Sequence, residues 1–464
     1  MSFTSPQFWL LVIFTFGLTS VFSAGHLYRS VLLAASLIFY SSGDGAILWI
    51  LLVSSGIDYI AGFFVAPENR LAKRRLALAL SLIGNLGFLF FFKYLHFVTT
   101  DVLPLIGISG VGKDIGSWTL PLGISFYTFQ SMSYTIDIYR GKLKPCRSYW
   151  DFLLFVTFFP QLIAGPIERA THLLPQILKA RRTDLDGLRL AMVYIAMGFF
   201  KKLYIADSIG TTAQLILTDT NARPLEWYLG GWTLAMQVYF DFSAYSDFAL
   251  GLGLIFGVQI SENFRPVWFA TNPLTFWERW NITTGRWFRD YFLVPIGGNG
   301  SSRLTAARNM ILMFGLVGLW HGASWNWIIW GLMHGVIVAV YRDIKKHWPQ
   351  FVRVVPAVFG FLFIQLVLLP VSGLLHFASD KSFLENTARS LEHSLLDLSG
   401  IRTYLPHIMG YVLPGIVLDI LREKFDFRKD MSIEAQFGLS ALLLGFAFFL
   451  TKGVRYLSFV YFSF

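Results

Sequence analysis

Charge is scarce in this chain: lysine, arginine, aspartate and glutamate together make up 14% of its 464 residues, against roughly 25% in an ordinary soluble domain. So few charged side chains cannot cover a water-facing surface, which excludes a soluble globular fold. Cysteine is scarcer still. Cys146 stands alone, which excludes intramolecular disulfides and cysteine-rich metal centres. A cysteine nucleophile is not expected either, because Cys146 sits in a polar loop among Lys142, Lys144 and Arg147. The first apolar stretch has no Lys or Arg before it and no small-residue cleavage pattern after it, so a retained helix is expected there and not a signal peptide. No repeat of fixed period and no low-complexity tract interrupts the sequence.

What the chain has in abundance is apolar surface, with 55% hydrophobic residues and 17% aromatics. Apolar runs recur along the whole length, among them Phe8–Phe22, Ala46–Val65, Leu76–Phe92, Leu153–Ile163, Val355–Leu369 and Leu439–Leu450. A helix needs about 20 such residues to cross a hydrocarbon core of roughly 30 Å. The pattern predicts an all-α polytopic membrane protein with about eleven crossings, plus shorter re-entrant and interfacial helices.

The net charge of +10 does not point to nucleic acid, because the basic residues are dispersed through short loops, where they orient the chain. With the N-terminus outside, Arg29, the Arg70–Arg75 cluster, the Arg140–Arg147 loop and Lys179–Arg182 all fall inside. The intervening loops Thr99–Trp118 and Thr211–Trp227 carry one basic residue each, Lys113 and Arg223. Further on, Arg342, Lys345, Lys346 and Arg353 are expected inside, Ser379–Pro406 outside as an amphipathic surface element, and Arg422, Lys424, Arg428 and Lys429 inside. For Arg303–Arg308 and Arg342–Lys346 to share the inner side, Asn309–Val340 must go in and come back. The turn is expected at Trp320–Trp325, with His321 at the tip of a broken hairpin.

His321 is therefore the leading candidate for chemistry. Ionisable groups at membrane depth are costly and mark function by default, and an imidazole is the natural base at neutral pH. Glycines 315, 318 and 322 are expected to open space beside it, while Trp320, Trp325, Trp327 and Trp330 wall it in. His334 reads as a packed or interfacial histidine.

A second constellation runs from Phe276 to Tyr291. Trp277, Trp280, Thr284, Trp287 and Tyr291 follow 3, 4, 3, 4 spacing, with Arg279, Thr283, Arg286 and Asp290 opposite. That spacing predicts one helix lying at the cytosolic interface, aromatic face buried and cationic face wet. Asn281 then points toward the protein, either as a tie between helices or as an amide that positions an acyl carbonyl. Arg279 and Arg286 are candidates to hold the phosphates of coenzyme A, with membrane anchoring as the alternative. Asp241 and Asp247, in Tyr239–Phe248, are expected to be buried among aromatics, bonding helix termini or orienting a histidine. Glu168, after the Gly165-Pro166 break, is expected at a re-entrant turn in a mainly structural role.

The runs Pro121–Tyr127, Ile163–Arg169, Tyr239–Asp247, Phe276–Asp290, Pro295–Asn299 and Gly318–Trp325, with the aromatic ending Phe459–Phe464, resemble the membrane-bound O-acyltransferase family. The closest resemblance is to its bacterial branch that O-acetylates alginate and related exopolysaccharides. It implies one membrane-embedded domain over residues 1–464, a catalytic core at about 119–345, and helices around a central funnel. It also implies a location in the inner (cytoplasmic) membrane, His321 as the catalytic residue, and an acyl group moving from a cytosolic thioester such as acetyl-CoA to a hydroxyl at the outer face. No bound cofactor and no metal are implied. The acceptor is a polysaccharide, reached directly or through an extracytoplasmic acetyltransferase or carrier protein, in the company of polysaccharide synthesis machinery and membrane lipid. One position departs from the pattern: alginate-type relatives usually carry histidine where this chain has Asn281, whereas eukaryotic lipid and protein acyltransferases of the family usually carry asparagine. Two rival classes are a transporter or flippase, which predicts repeated halves, and a scaffold subunit of an export complex, which requires no polar residue at 321.

Overall fold

The computed structural model describes residues 1–22, 24–43, 47–108, 110–111, 120–219, 221–298, 300, 302–354, 357–377, 399–451 and 457. Every regular element among them is helical, and a lone β-bridge joins Ala24 to Arg181. Among the described residues, five helices are long and apolar enough to cross a membrane: Leu48–Val65, Leu71–Ile106, Trp325–His347, Ala357–His376 and Gly400–Lys424. Two shorter apolar helices follow at Pro6–Val21 and Ile433–Phe449. Length and apolarity thus single out five of the eleven expected crossings. Other helices dilute their apolar character with charge, as Pro224–Ile255 does with Glu226, Asp241 and Asp247 over its 32 residues. Lys113, most of the Ser379–Pro406 insert and the Phe459–Phe464 ending lie outside the described residues.

The chain divides into two compact units. The first comprises Met1–Ala191 with Phe248–Ser261 and is organised by aromatic packing: Phe3, Phe8, Phe39 and Phe159 are all fully or almost fully buried against one another. Within it a carboxylate does the work of a helix tie. Asp58, buried in Leu48–Val65, accepts hydrogen bonds from Asn85 Nδ2 at 2.9 Å, from Thr135 Oγ1 at 3.1 Å and from Ser81. Three helices, Leu48–Val65, Leu71–Leu89 and Ile124–Tyr139, are joined at that point, as buried polar groups in an apolar surround require. Gly62 makes the approach possible, since a Cβ there would stand 2.8 Å from Tyr134 Oη.

The second unit comprises Met192–Asp247 with Glu262–Phe464. Its centre is an antiparallel hairpin whose arms are Arg303–His321 and Trp325–His347. The turn between them, Gly322-Ala323-Ser324, lies within the expected stretch, and His321 is the last helical residue of the first arm. Ser302 caps that arm by accepting the Thr305 amide at 3.1 Å. The glycines, however, do not open space. A Cβ on Gly318 would sit 2.1 Å from the Trp327 carbonyl, and one on Gly331 would sit 2.3 Å from that of Phe314. They let the two backbones touch, the use that small residues have between membrane helices.

Candidate active site

The segment after Asn272 sets the geometry around His321. It is not one interfacial helix. Pro273–Trp277 is a short helix capped by Asn272, and a second helix begins at Ile282 and runs to Phe288 before loosening into a π-turn over Arg289–Leu293. The break falls where another segment claims the backbone. The Arg279 carbonyl accepts from the Arg265 amide, the Ile282 amide donates to the Asn263 carbonyl, and Thr283 N and Oγ1 both donate to Asn263 Oδ1. Asn281 stands at the hinge with φ 43° and ψ 52°, a left-handed conformation that asparagine tolerates better than most residues. No other non-glycine among the described residues has positive φ. Beyond the hinge the chain follows the first arm of the hairpin toward its base, where Asn309 Nδ2 donates to the carbonyls of Ile296 and Gly298. Periodicity alone overestimated the helix because 3, 4, 3, 4 spacing does not register the break at residues 278–281.

Two cavities meet at His321. The larger, about 440 Å³, is lined by Asn281, Thr284, Arg265, Arg286 and Arg289 and by one stripe of the first arm, Met310, Met313, Phe314, Val317 and His321. From Met310 to His321 that stripe spans eleven helical steps, or roughly 16 Å at 1.5 Å per residue. The smaller, about 60 Å³, is aromatic: Trp277, Trp280, Trp327 and Trp330 line it with His321, His334, Ser372 and His376. His321 and Trp277 belong to both walls.

His321 is 7% exposed. Its ring stacks on Trp327 at 5.2 Å and 20°, with Trp320 edge-on at 4.9 Å and Trp330 at 5.3 Å. Such a cage fixes the imidazole plane. Asn281 Oδ1 accepts from Thr284 Oγ1 at 2.8 Å, which leaves the amide nitrogen as the group able to donate into the larger cavity. His334 is packed, as expected, with its Nε2 hydrogen bonded to Ser372 Oγ at 2.9 Å. Among the described residues no cluster of three or more ligating side chains could hold a metal ion.

The structure thus brings together His321, Asn281, Trp277 and Arg286, with Trp320 packed behind the imidazole. It places the remaining candidates elsewhere. Trp325 is 42% exposed and lines neither cavity. Arg279 grips Glu423 through both terminal nitrogens, at 3.0 and 2.8 Å, and so is already committed. Asp241 and Asp247 belong to a buried charge network: Lys202 bridges Asp241 at 2.7 Å and Asp207 at 2.9 Å, and Asp247 takes Lys201 and Arg422, each at 2.8 Å. Asp419 joins it while accepting from Tyr239 and Trp268. Buried charges persist only when paired, and neither aspartate lines either cavity. Lys201, Lys202 and Arg422 were missed as their partners. The signal was there, because two adjacent lysines in Phe199–Leu203 interrupt an otherwise apolar helix.

Glu168 lies in the first unit, where its carboxylate is saturated by the Ser261 amide, by Ser261 Oγ at 3.1 Å and by His172 Nδ1 at 2.7 Å. Its role there is to tie the Gly-Pro turn to the segment ending at Ser261. The same contact raises the His172 pKa above its ordinary value, so the pair contributes stability fully below the unfolded pKa of about 6.5 and loses it as pH rises through the higher folded value. With His172 half exposed, Glu168→Gln is expected to cost under ~1 kcal/mol of charge interaction at pH 5.5 and less at pH 8.5. Thermal unfolding in detergent at the two pH values checks this; a pH-independent difference contradicts it.

Against known proteins, residues 146–369 match the model of the MBOAT, membrane-bound O-acyltransferase family. The chain is 36% identical over 343 residues to a "probable alginate O-acetylase AlgI" from Azotobacter vinelandii, an overlap of 73% of this chain and 68% of that protein. It is 34% identical to a "peptidoglycan O-acetyltransferase" from Helicobacter pylori, covering 71% and 67% of the two chains. A "teichoic acid D-alanyltransferase" from Bacillus subtilis is 30% identical over 51% of this chain and 62% of its own length.

Proposed function

Because the chain belongs to the membrane-bound O-acyltransferase family and is a multi-pass membrane O-acyltransferase, we propose that it moves an acetyl group from a cytosolic thioester, through His321, to a hydroxyl at the outer face. The observation that carries this reading is that His321 lines two cavities of opposite character. The basic cavity suits the donor: Arg286, exposed in its lining while Asp290 holds the neighbouring Arg289, matches the phosphates of coenzyme A, and the stripe from Met310 to His321 gives the thioester arm a path inward. The aromatic cavity suits the acyl group and the acceptor oxygen. Its small volume supports a two-carbon group over a long chain. Arg303 to His321 rises roughly 27 Å, so an inner Arg303 puts His321 near the outer boundary; the same reading takes the chain to cross the inner membrane about eleven times with its N-terminus outside.

In the reaction the acceptor hydroxyl gives its proton to His321 as its oxygen attacks the thioester carbon. The Asn281 amide faces the oxyanion, and the thiol leaves with the proton from the imidazolium. A polysaccharide of the alginate or peptidoglycan kind, reached directly or through an extracytoplasmic carrier, is the acceptor class that the relatives support.

Cysteine placed at Arg286, in a Cys146→Ser background, tests the donor side. An impermeant maleimide is expected to label it only from the cytosolic face of membrane vesicles, with acetyl-CoA slowing the labelling. Labelling from the outer face, or none that acetyl-CoA affects, defeats the assignment. Arg279 is unsuitable as the probe because Glu423 already holds it.

A further inference from the structure

We propose that the groove at the base of the His321 hairpin, which shares Met310 with the larger cavity and no residue with the aromatic one, binds the headgroup of an anionic phospholipid. The groove, about 560 Å³, lies between the start of the first arm and the end of the second. Its rim holds three cations, Arg303, Arg342 and Lys346, against a single carboxylate in the lining, Asp343. Asp343 is committed, paired with Arg303 and with His347. Among the described residues, Arg342 and Lys346 have no ion-pair partner, so the groove carries net positive charge.

The wall above that rim is apolar. Leu304, Ile311, Val336 and Val340 line it, and Leu304, Val336 and Val340 are exposed. Trp348 closes the basic end, 56% exposed, with the Arg303 guanidinium over its ring at 5.6 Å. A basic rim, an interfacial tryptophan and a bare aliphatic wall in one groove complement an amphiphile with an anionic head and acyl chains. Inorganic phosphate or a free nucleotide uses the rim and leaves the wall uncovered. The same cations are those expected on the inner side, where leaflet lipids are anionic. A lipid seated there contacts both arms of the hairpin and no residue of the two cavities except Met310.

Native mass spectrometry of the full-length protein, delipidated in neutral detergent and titrated with phosphatidylglycerol, phosphatidylcholine or inorganic phosphate, tests this. The wild type is expected to bind phosphatidylglycerol selectively. Arg342→Gln with Lys346→Gln should weaken that binding roughly 30-fold, the loss of two charges near an anionic surface, with unfolding temperature in lipid-free detergent unchanged. Val340→Trp, which fills the apolar wall and leaves the charges in place, should also abolish lipid binding while sparing any binding of phosphate. Equal binding of phosphatidylcholine, unaltered binding in the double variant, or displacement of the lipid by millimolar phosphate each overturns the proposal.

Discussion

His321→Gln is expected to be as inactive as His321→Ala, at least 10²-fold and up to 10⁴-fold below wild type, the range for loss of a general base. Glutamine preserves much of the bulk and the capacity to hydrogen bond, but it cannot take a proton at neutral pH. Two other imidazoles, His334 and His376, line the aromatic cavity, but of the three only His321 also lines the larger cavity. Among residues 309–340 the only other ionisable side chain is His334, and its Nε2 is engaged with Ser372. Both variants should still be extracted in normal yield, because the imidazole sits at the end of a helix between two cavities and its removal leaves the Gly318–Gly331 contact of the hairpin intact. Acetyl transfer is measured alongside monodispersity in detergent. If His321→Gln keeps more than about a tenth of wild-type turnover, the histidine positions substrate without taking its proton, and the mechanism falls.

The second large effect is expected at Asn281, where backbone and side chain have to be separated. Asn281→Ala should lower turnover by about 10²–10³, as loss of one oxyanion donor does. Alanine at φ 43° also strains the hinge, by roughly 1–2 kcal/mol. Asn281→Gly removes the amide and the strain together, so it should be as slow as the alanine variant yet more stable. Asn281→His restores a donor, and part of the activity is expected to return. Should the glycine variant turn over like wild type, the residue serves the backbone hinge alone and the oxyanion is held by something else.

Most of the architecture was legible because lipid imposes rules on sequence. Scarce charge and recurrent apolar runs require helices, and the alternation of basic loops demanded that Asn309–Val340 double back, which located the turn within a few residues. His321 stood out because an ionisable side chain in such a stretch has few bland explanations. The number of crossings was less legible, since a helix such as Pro224–Ile255 carries buried charges whose partners, Lys201, Lys202 and Arg422, come from distant segments.

By itself, then, the sequence determined the solvent in which the chain folds, the hairpin, and the histidine at its tip that leads the candidate site, because each follows from local composition or from the side of the membrane a loop prefers. Only the tertiary structure decided what those residues touch. Arg279 looked available until Glu423 was seen to hold it, and the 276–291 helix looked continuous until Asn263 was seen to take its backbone hydrogen bonds. Gly318 looked like open space, and it is where two backbones meet. Each of these outcomes depends on a contact partner remote in sequence, and periodicity carries no record of which distant group will arrive to satisfy a charge, an amide or a bare backbone.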